Sequence, residues 1–212
     1  MSFQLHDVFI SIYRWSAGVF AGAVLGFLVA LVCYYAKPVR MLATTSFAFL
    51  RALPILALVP LALNLIGANE WAKVLLIGWA CFFPVFISTH EAVRQAVRDM
   101  EDRRYVNRVS WSRRFLHYDL PRLIQGFDAG VTVTLGIGWL TVVAAEFSNA
   151  DNLGWSRGGL GYFVYNSFGN ANYAQGYMGL SIFGLLGLTS NWLWRLGRIR
   201  IARRLGYDIE FR

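Results

Sequence analysis

Residues 99–118 read Asp-Met-Glu-Asp-Arg-Arg-Tyr-Val-Asn-Arg-Val-Ser-Trp-Ser-Arg-Arg-Phe-Leu-His-Tyr, and they lead through Leu120-Pro121 into an apolar run that closes on Ala145-Glu146. Eight arginines lie between Glu91 and Arg122. On either side the chain is nearly free of charge: residues 15–36 and 173–194 carry none, and 41–69 carry only Arg51. An uncharged apolar run of about 20 residues is long enough to cross a bilayer core. The polar stretch is therefore a loop between membrane spans, and the chain is an all-α membrane protein. Its 212 residues are 57% hydrophobic and 15% charged, whereas an ordinary soluble domain has about 25% charged residues.

The hydropathy pattern predicts about five transmembrane helices in a single domain covering 1–212, at 13–36, 41–66, 71–89, 123–147 and 173–195. The net charge of +8 is unevenly placed. Six further arginines fall between Arg195 and Arg212, while 64–72 and 148–172 hold a single one, Arg157. Such asymmetry marks the cytoplasmic side of a membrane protein, so it sets orientation and does not call for nucleic acid. The loop at 90–121 and the C-terminus then lie inside and the N-terminus outside, and Lys37 and Arg40 fall on the inner side without adjustment. His6, Asp7 and Arg14 precede the first apolar segment, which lacks a small-residue cleavage site; it reads as a span, not a secretory leader.

Within the spans, Gly18, Gly22 and Gly26 recur every four residues and form one smooth strip on a helix. Small strips let helices approach closely in lipid, and packing within the subunit is the expected use. Trp15, Trp71, Trp155, Trp192 and Trp194 lie near predicted span ends, as interfacial anchors do. Pro54, Pro60 and Pro84 bend their helices, since each removes a backbone donor. Cys33 and Cys81 fall inside spans and read as packing residues, with no metal or disulfide expected.

No catalytic signature is visible: there is no Gly-rich phosphate loop, no Ser-His-Asp or Cys-His arrangement and no metal-ligand spacing. The expectation is a non-catalytic chain that binds no cofactor. Three ionisable groups fall in or near spans, Arg51, Asp128 and Glu146, and charges there normally face a bundle interior or an aqueous cavity. Arg51, three residues before Pro54, and Glu146 are candidates for a translocation pathway or gate; for Glu146 an interfacial position at the outer surface is the competing reading. Asp128 is expected in the first turn of its helix, where a negative charge complements the N-terminus. His90 and His117, at the edges of the polar stretch, read as solvated. In that stretch Tyr105, Val109, Trp111, Phe115 and Leu116 stand among charges at helical spacings. A link between two helices needs only about 2–8 residues, so 90–121 reads as an amphipathic segment that docks in a groove of a cytoplasmic partner.

Four motifs in order resemble the permease subunits of bacterial ABC importers of the nitrate/sulfonate/taurine/bicarbonate group. They are Leu50-Arg51-Ala52-Leu53-Pro54-Ile55 with Pro60-Leu61; Phe82-Phe83-Pro84-Val85; Leu120-Pro121 followed by Gly130, Trp139 and Ala145-Glu146; and Gly159-Leu160-Gly161. The resemblance implies a type I importer permease (MetI-like) core whose cytoplasmic coupling helix engages a separate ATPase. Asp102, Arg103 and Arg104 would stand at that family's E-A-A and Arg108 at its glycine, a departure in which only the acidic character survives. With Tyr105, Val109, Trp111, Leu120 and Pro121 they form the expected ATPase-coupling set, while Arg51, Pro54, Trp139 and Glu146 form the expected pathway or gate set. The implied partners are ABC ATPase subunits, which bind the ATP and magnesium, a second permease copy or a different permease, an external solute-binding protein and the lipid of a bacterial inner membrane. A secondary transporter or channel, or a membrane scaffold that recruits a cytoplasmic partner, are the alternative readings. No inverted repeat or run of intramembrane acids favours the former.

Overall fold

The computed structural model describes residues 5–36, 39, 46–47, 49–67, 69–103, 115, 119–147 and 158–205. Their elements are α1 (Leu5–Tyr35), α2 (Ile55–Ile66), α3 (Glu70–Arg103), α4 (Leu120–Phe147), α5 (Leu160–Gly169) and α6 (Tyr173–Leu205). Among the described residues, three helices are long and apolar enough to cross a membrane: Leu5–Tyr35, the Glu70–Gln95 part of α3, and Leu120–Phe147. Large apolar side chains point outward from several helices, among them Phe20 and Leu25 on α1, Leu140 on α4 and Leu188 on α6. An exposed apolar surface of that extent suits lipid or a partner chain better than water.

α3 is the central helix, with α1 and α4 both packed along it. Glycine makes both contacts close. A Cβ built on Gly18 would stand 2.5 Å from Ile77 Cβ, one on Gly22 would run into the Gly78 carbonyl, and one on Gly26 would lie 2.7 Å from Phe82 O. The strip read from the sequence is thus spent on packing inside the chain. α4 approaches from the other side in the same way, where a Cβ on Gly130 would lie 2.5 Å from Val85 Cα. Val19, Ala23, Ile77, Cys81, Val85, Leu135 and Trp139 fill the core between these helices, and Leu160, Phe163 and Phe183 extend it to α5 and α6. Near Pro84, the Thr134 hydroxyl of α4, which lies 2.8 Å from the Gly130 carbonyl of its own helix, also stands 3.3 Å from the carbonyl oxygen of Cys81, a side-chain contact from a neighbouring helix at the proline-bearing turn.

Several expected boundaries move. α3 does not stop at residue 89 but continues to Arg103, because residues 90–103 are rich in Glu, Ala, Arg and Gln, lack Gly and Pro, and so sustain the helical ladder after the apolar run has ended. His90 is accordingly buried on α3, its ring stacked 5.6 Å from Phe86, and is not a solvated loop residue. The expected second span is interrupted at Leu53-Pro54, with helix on both sides. The expected outer loop 148–172 contains α5, and the expected fifth span lies within the 33-residue α6. α1 begins at Leu5, so Trp15 sits well inside the helix. It stacks on Trp139 with ring centroids 4.9 Å apart, partly buried against the core, whereas Trp71 and Trp192 are exposed.

Overfilling the α1–α3 contact should be costly, by about 1–3 kcal/mol. Gly22→Val is expected to lower the midpoint of thermal unfolding in detergent, followed by tryptophan fluorescence. Gly136→Ala is expected to leave it unchanged, because a Cβ there meets nothing within 4 Å.

Candidate functional site

Asp7, Ser11 and Arg14 follow one another at helical spacing on the face of α1 that continues into the glycine strip, and all three are buried. Arg14, at 1% exposure, holds two carboxylates at once. Its Nε and Nη2 donate to Glu70 at 2.6 and 2.8 Å, and its Nη1 donates to Glu146 at 2.7 Å. The same Nη1 also donates to the carbonyl of Gly158 at 2.9 Å. Glu70 opens α3 and is 38% exposed. It also accepts from Lys73, one turn on and 1% exposed, at 3.1 Å. The two-pronged Arg14–Glu70 arrangement matches the planar fork of a guanidinium to a carboxylate.

Glu146 has no exposed surface. Besides Arg14 it accepts from the Ser11 hydroxyl at 2.8 Å and from the Gly161 N–H at 2.7 Å. The Ser11 oxygen in turn accepts from Leu160 N at 2.8 Å, and Asp7 accepts from Gly159 N at 3.2 Å. Three successive N–H groups at the start of α5 are thereby satisfied by α1 and α4. A helix N-terminus has orphan donors and a positive end that favours negative charge. The chain reaches this contact through Gly158 and Gly159 at φ +140 and +115. A side chain at Gly159 would collide with the Glu146 carboxylate. The Ala145-Glu146 and Gly159-Leu160-Gly161 motifs, separate in sequence, are two halves of one contact.

Glu146 is therefore enclosed by protein at the end of α4 and not exposed there. Its charge is buried against Arg14, which offsets desolvation only because so many donors converge. Asp128 is likewise not a first-turn residue. It lies two turns into α4 and accepts from Trp194 Nε1 at 3.0 Å and from Arg198 Nη1 at 2.8 Å, tying α6 to α4. Trp139 is buried between Trp15 and Phe183 and donates to Ser190 at 3.2 Å. Arg51 and Pro54 are exposed, at and just before the break that precedes α2. The four residues grouped for a pathway or gate are thus not brought together: two are packed inside the bundle and two lie on its surface. Of the coupling set, Leu120 and Pro121 open α4, and Asp102 and Arg103 end α3 in backbone. Arg104, Tyr105, Arg108, Val109 and Trp111, with His117 and Trp155, lie outside the described residues.

The family of binding-protein-dependent transport system inner membrane components matches residues 22–203. The chain belongs to this family. A Bacillus subtilis protein named for aliphatic sulfonates transport, SsuC, is 30% identical over 94% of the chain and 70% of its own length. The nitrate import permease protein NrtB of Synechococcus elongatus is 28% identical over 90% of the chain and 68% of its length. The bicarbonate transport system permease protein CmpB of the same organism is 26% identical over 84% of the chain, which spans less than two thirds of that relative, 62%. The chain is accordingly an ABC importer permease of the nitrate/sulfonate/bicarbonate type with the MetI-like helical fold, an integral inner-membrane protein with several apolar helices.

Sequence reasoning missed the centre of this arrangement. Arg14 and Asp7 entered only as evidence against a leader, and Glu70 and Lys73 did not enter at all. The available signal was the spacing Asp7–Ser11–Arg14–Gly18–Gly22, which places polar residues and the glycine strip on one helical face. Removing one member of the fully buried pair, as in Glu146→Met, should cost about 3–5 kcal/mol. Arg14→Met with Glu146→Met should recover a large part of that loss. Thermal midpoints of the two singles and the double in detergent measure it, and additive losses would mean the pair does not act as a unit.

Proposed function

We propose that this permease forms half of a solute pathway through a bacterial inner membrane and is driven by separate ABC ATPase subunits seated on the 90–121 stretch. The observation that carries the reading is the family match over residues 22–203, joined to a central helix that persists to Arg103, past the end of its apolar run. A helix that leaves the bilayer stiff suits a handle pulled by a soluble machine. The eight arginines between Glu91 and Arg122 support a cytoplasmic position for it.

The whole transporter then comprises five spans from this chain, a second permease, identical or different, two ATPases that bind ATP and magnesium, and an external protein that delivers the solute. The N-terminus and α5 lie on the outer side with the Arg14 cluster. ATP binding biases the ATPases toward closure, and the attached helices shift access from one side to the other. This chain makes and breaks no covalent bonds. A small oxyanion is the solute class favoured by the names of the relatives, which cover sulfonates, nitrate and bicarbonate. Arg51, a positive charge on the exposed side of the broken second span, suits an anion. In this reading Arg51 and Pro54 border the path, while Trp139 and Glu146 hold the wall behind it.

Reconstitution with the candidate ATPase and binding protein tests the reading: uptake must require ATP and must persist when ion gradients are collapsed. Uptake driven by a gradient, or none at all, would reject it. Replacing Tyr105, Val109 or Trp111 with Asp is expected to abolish the permease's stimulation of ATP hydrolysis while leaving membrane insertion intact. Arg51→Ala is expected to lower uptake by about tenfold with assembly unchanged, as for loss of one charged contact. Uptake at the wild-type rate would remove Arg51 from the pathway.

A further inference from the structure

The inner end of α1 makes a contact that the coupling residues above do not include. Tyr34, in the last turn of α1, donates its hydroxyl to Oδ2 of Asp119, a buried residue directly before Leu120-Pro121. Four residues earlier in the chain, the half-buried Phe115 ring lies 6.4 Å from both Tyr34 and Tyr35. The contact therefore fixes two points of the segment returning from the 104–118 stretch to α4, and it fixes them to a different helix.

The mechanical consequence follows from how the helices are joined. α3, which carries the outgoing end at Arg103, is locked to α1 by the Gly18–Gly22–Gly26 contact. α1 has no proline and runs unbroken from Leu5 to Tyr35. From Tyr34 to Arg14 is twenty residues, about 30 Å at ~1.5 Å per residue, which is the thickness of a bilayer core. At the far end Arg14 holds Glu70 of α3 and Glu146 of α4. A returning segment joined only through the backbone at Leu120 would pivot there. A second attachment on α1 turns the pivot into a rigid joint.

We infer that Tyr34 and Asp119 are positioning residues for energy coupling: their hydrogen bond, backed by Phe115, makes the returning end of the coupling stretch move as one body with α1 and, through α1, with the outer Arg14 cluster. This inference rests on the proposed function, because it needs a stretch that receives force. The effect of the two residues is on how much transport each hydrolysis event yields.

The test uses the complete reconstituted transporter and reads solute taken up per ATP hydrolysed, for wild type, Tyr34→Phe, Asp119→Ala, which removes the acceptor, and the double variant. Tyr34→Phe keeps the ring against Phe115 and removes only the donor. Each single variant is expected to lower the uptake-to-hydrolysis ratio about fivefold, within the range for residues that carry coupling, with the complex still assembled and hydrolysis continuing. The double variant should be no worse than either single, since both remove one bond. A wild-type ratio in Tyr34→Phe overturns the inference, as does loss of assembly in that variant or additive losses in the double. If the wild-type complex itself shows no ATP-dependent uptake, the underlying function fails, an outcome distinct from a coupled wild type with indifferent variants.

Discussion

A single guanidinium, that of Arg14, lies between two carboxylates from two other helices, and the rest of that end of the bundle depends on it. Glu146 has no exposed surface and Arg14 almost none. Two such groups persist in a membrane protein only where every lone pair and donor is met. Here α1 supplies Ser11 and Arg14, α3 supplies Glu70, and α5 supplies the Gly161 N–H. Four elements therefore share one electrostatic minimum, and none can shift without leaving a buried charge short of its partner. Directional contacts of this kind set register where the hydrophobic effect gives no preference between helices.

The glycine contacts extend that constraint along the bundle. Backbone-to-backbone approach between α1 and α3, and between α3 and α4, leaves no room for sliding, because packed interiors resist continuous deformation. By contrast, the second span is interrupted at Leu53-Pro54, and its described side chains are largely exposed, with Val59 buried and Phe47 packed against Phe82 and Phe86. The molecule thus divides into a tightly joined body of α1, α3, α4 and α5 and a more lightly held α2 that carries Arg51 and Pro54 at its entry. A transporter that alternates access needs one part that receives force and a surface that changes exposure. The two parts have the physical character for those roles.

How much of this was legible follows from which signals are local. Composition and the distribution of arginine were enough for the membrane class, and four ordered motifs were enough for the family. The Gly18–Gly22–Gly26 strip announced a close contact because its period is that of a helix. The Arg14 cluster was hidden because its members come from residues 7–14, 70–73, 146 and 158–161, and pairing across such separations leaves no mark in a one-dimensional pattern. The burial of Glu146 was hidden because hydropathy reports where an apolar run ends and not what covers its last turn. α3 was cut short at residue 89 for the same reason: hydropathy marks the end of the bilayer, while helix propensity carries the backbone on to Arg103. The stacking of Trp15 on Trp139 was hidden for the same reason as the Arg14 cluster, its partner lying far away in the chain.

The claim on which the account turns is that the Arg14 cluster and the glycine contacts make α1 and α4 one body. Spin labels at Phe20 and Leu140, both on the exposed surface, report the separation of those helices in lipid nanodiscs by pulsed electron resonance. The account predicts one distance distribution that is unchanged between the nucleotide-free complex and the complex held with ATP by a hydrolysis-deficient ATPase. A shift of several ångströms between those states would contradict it.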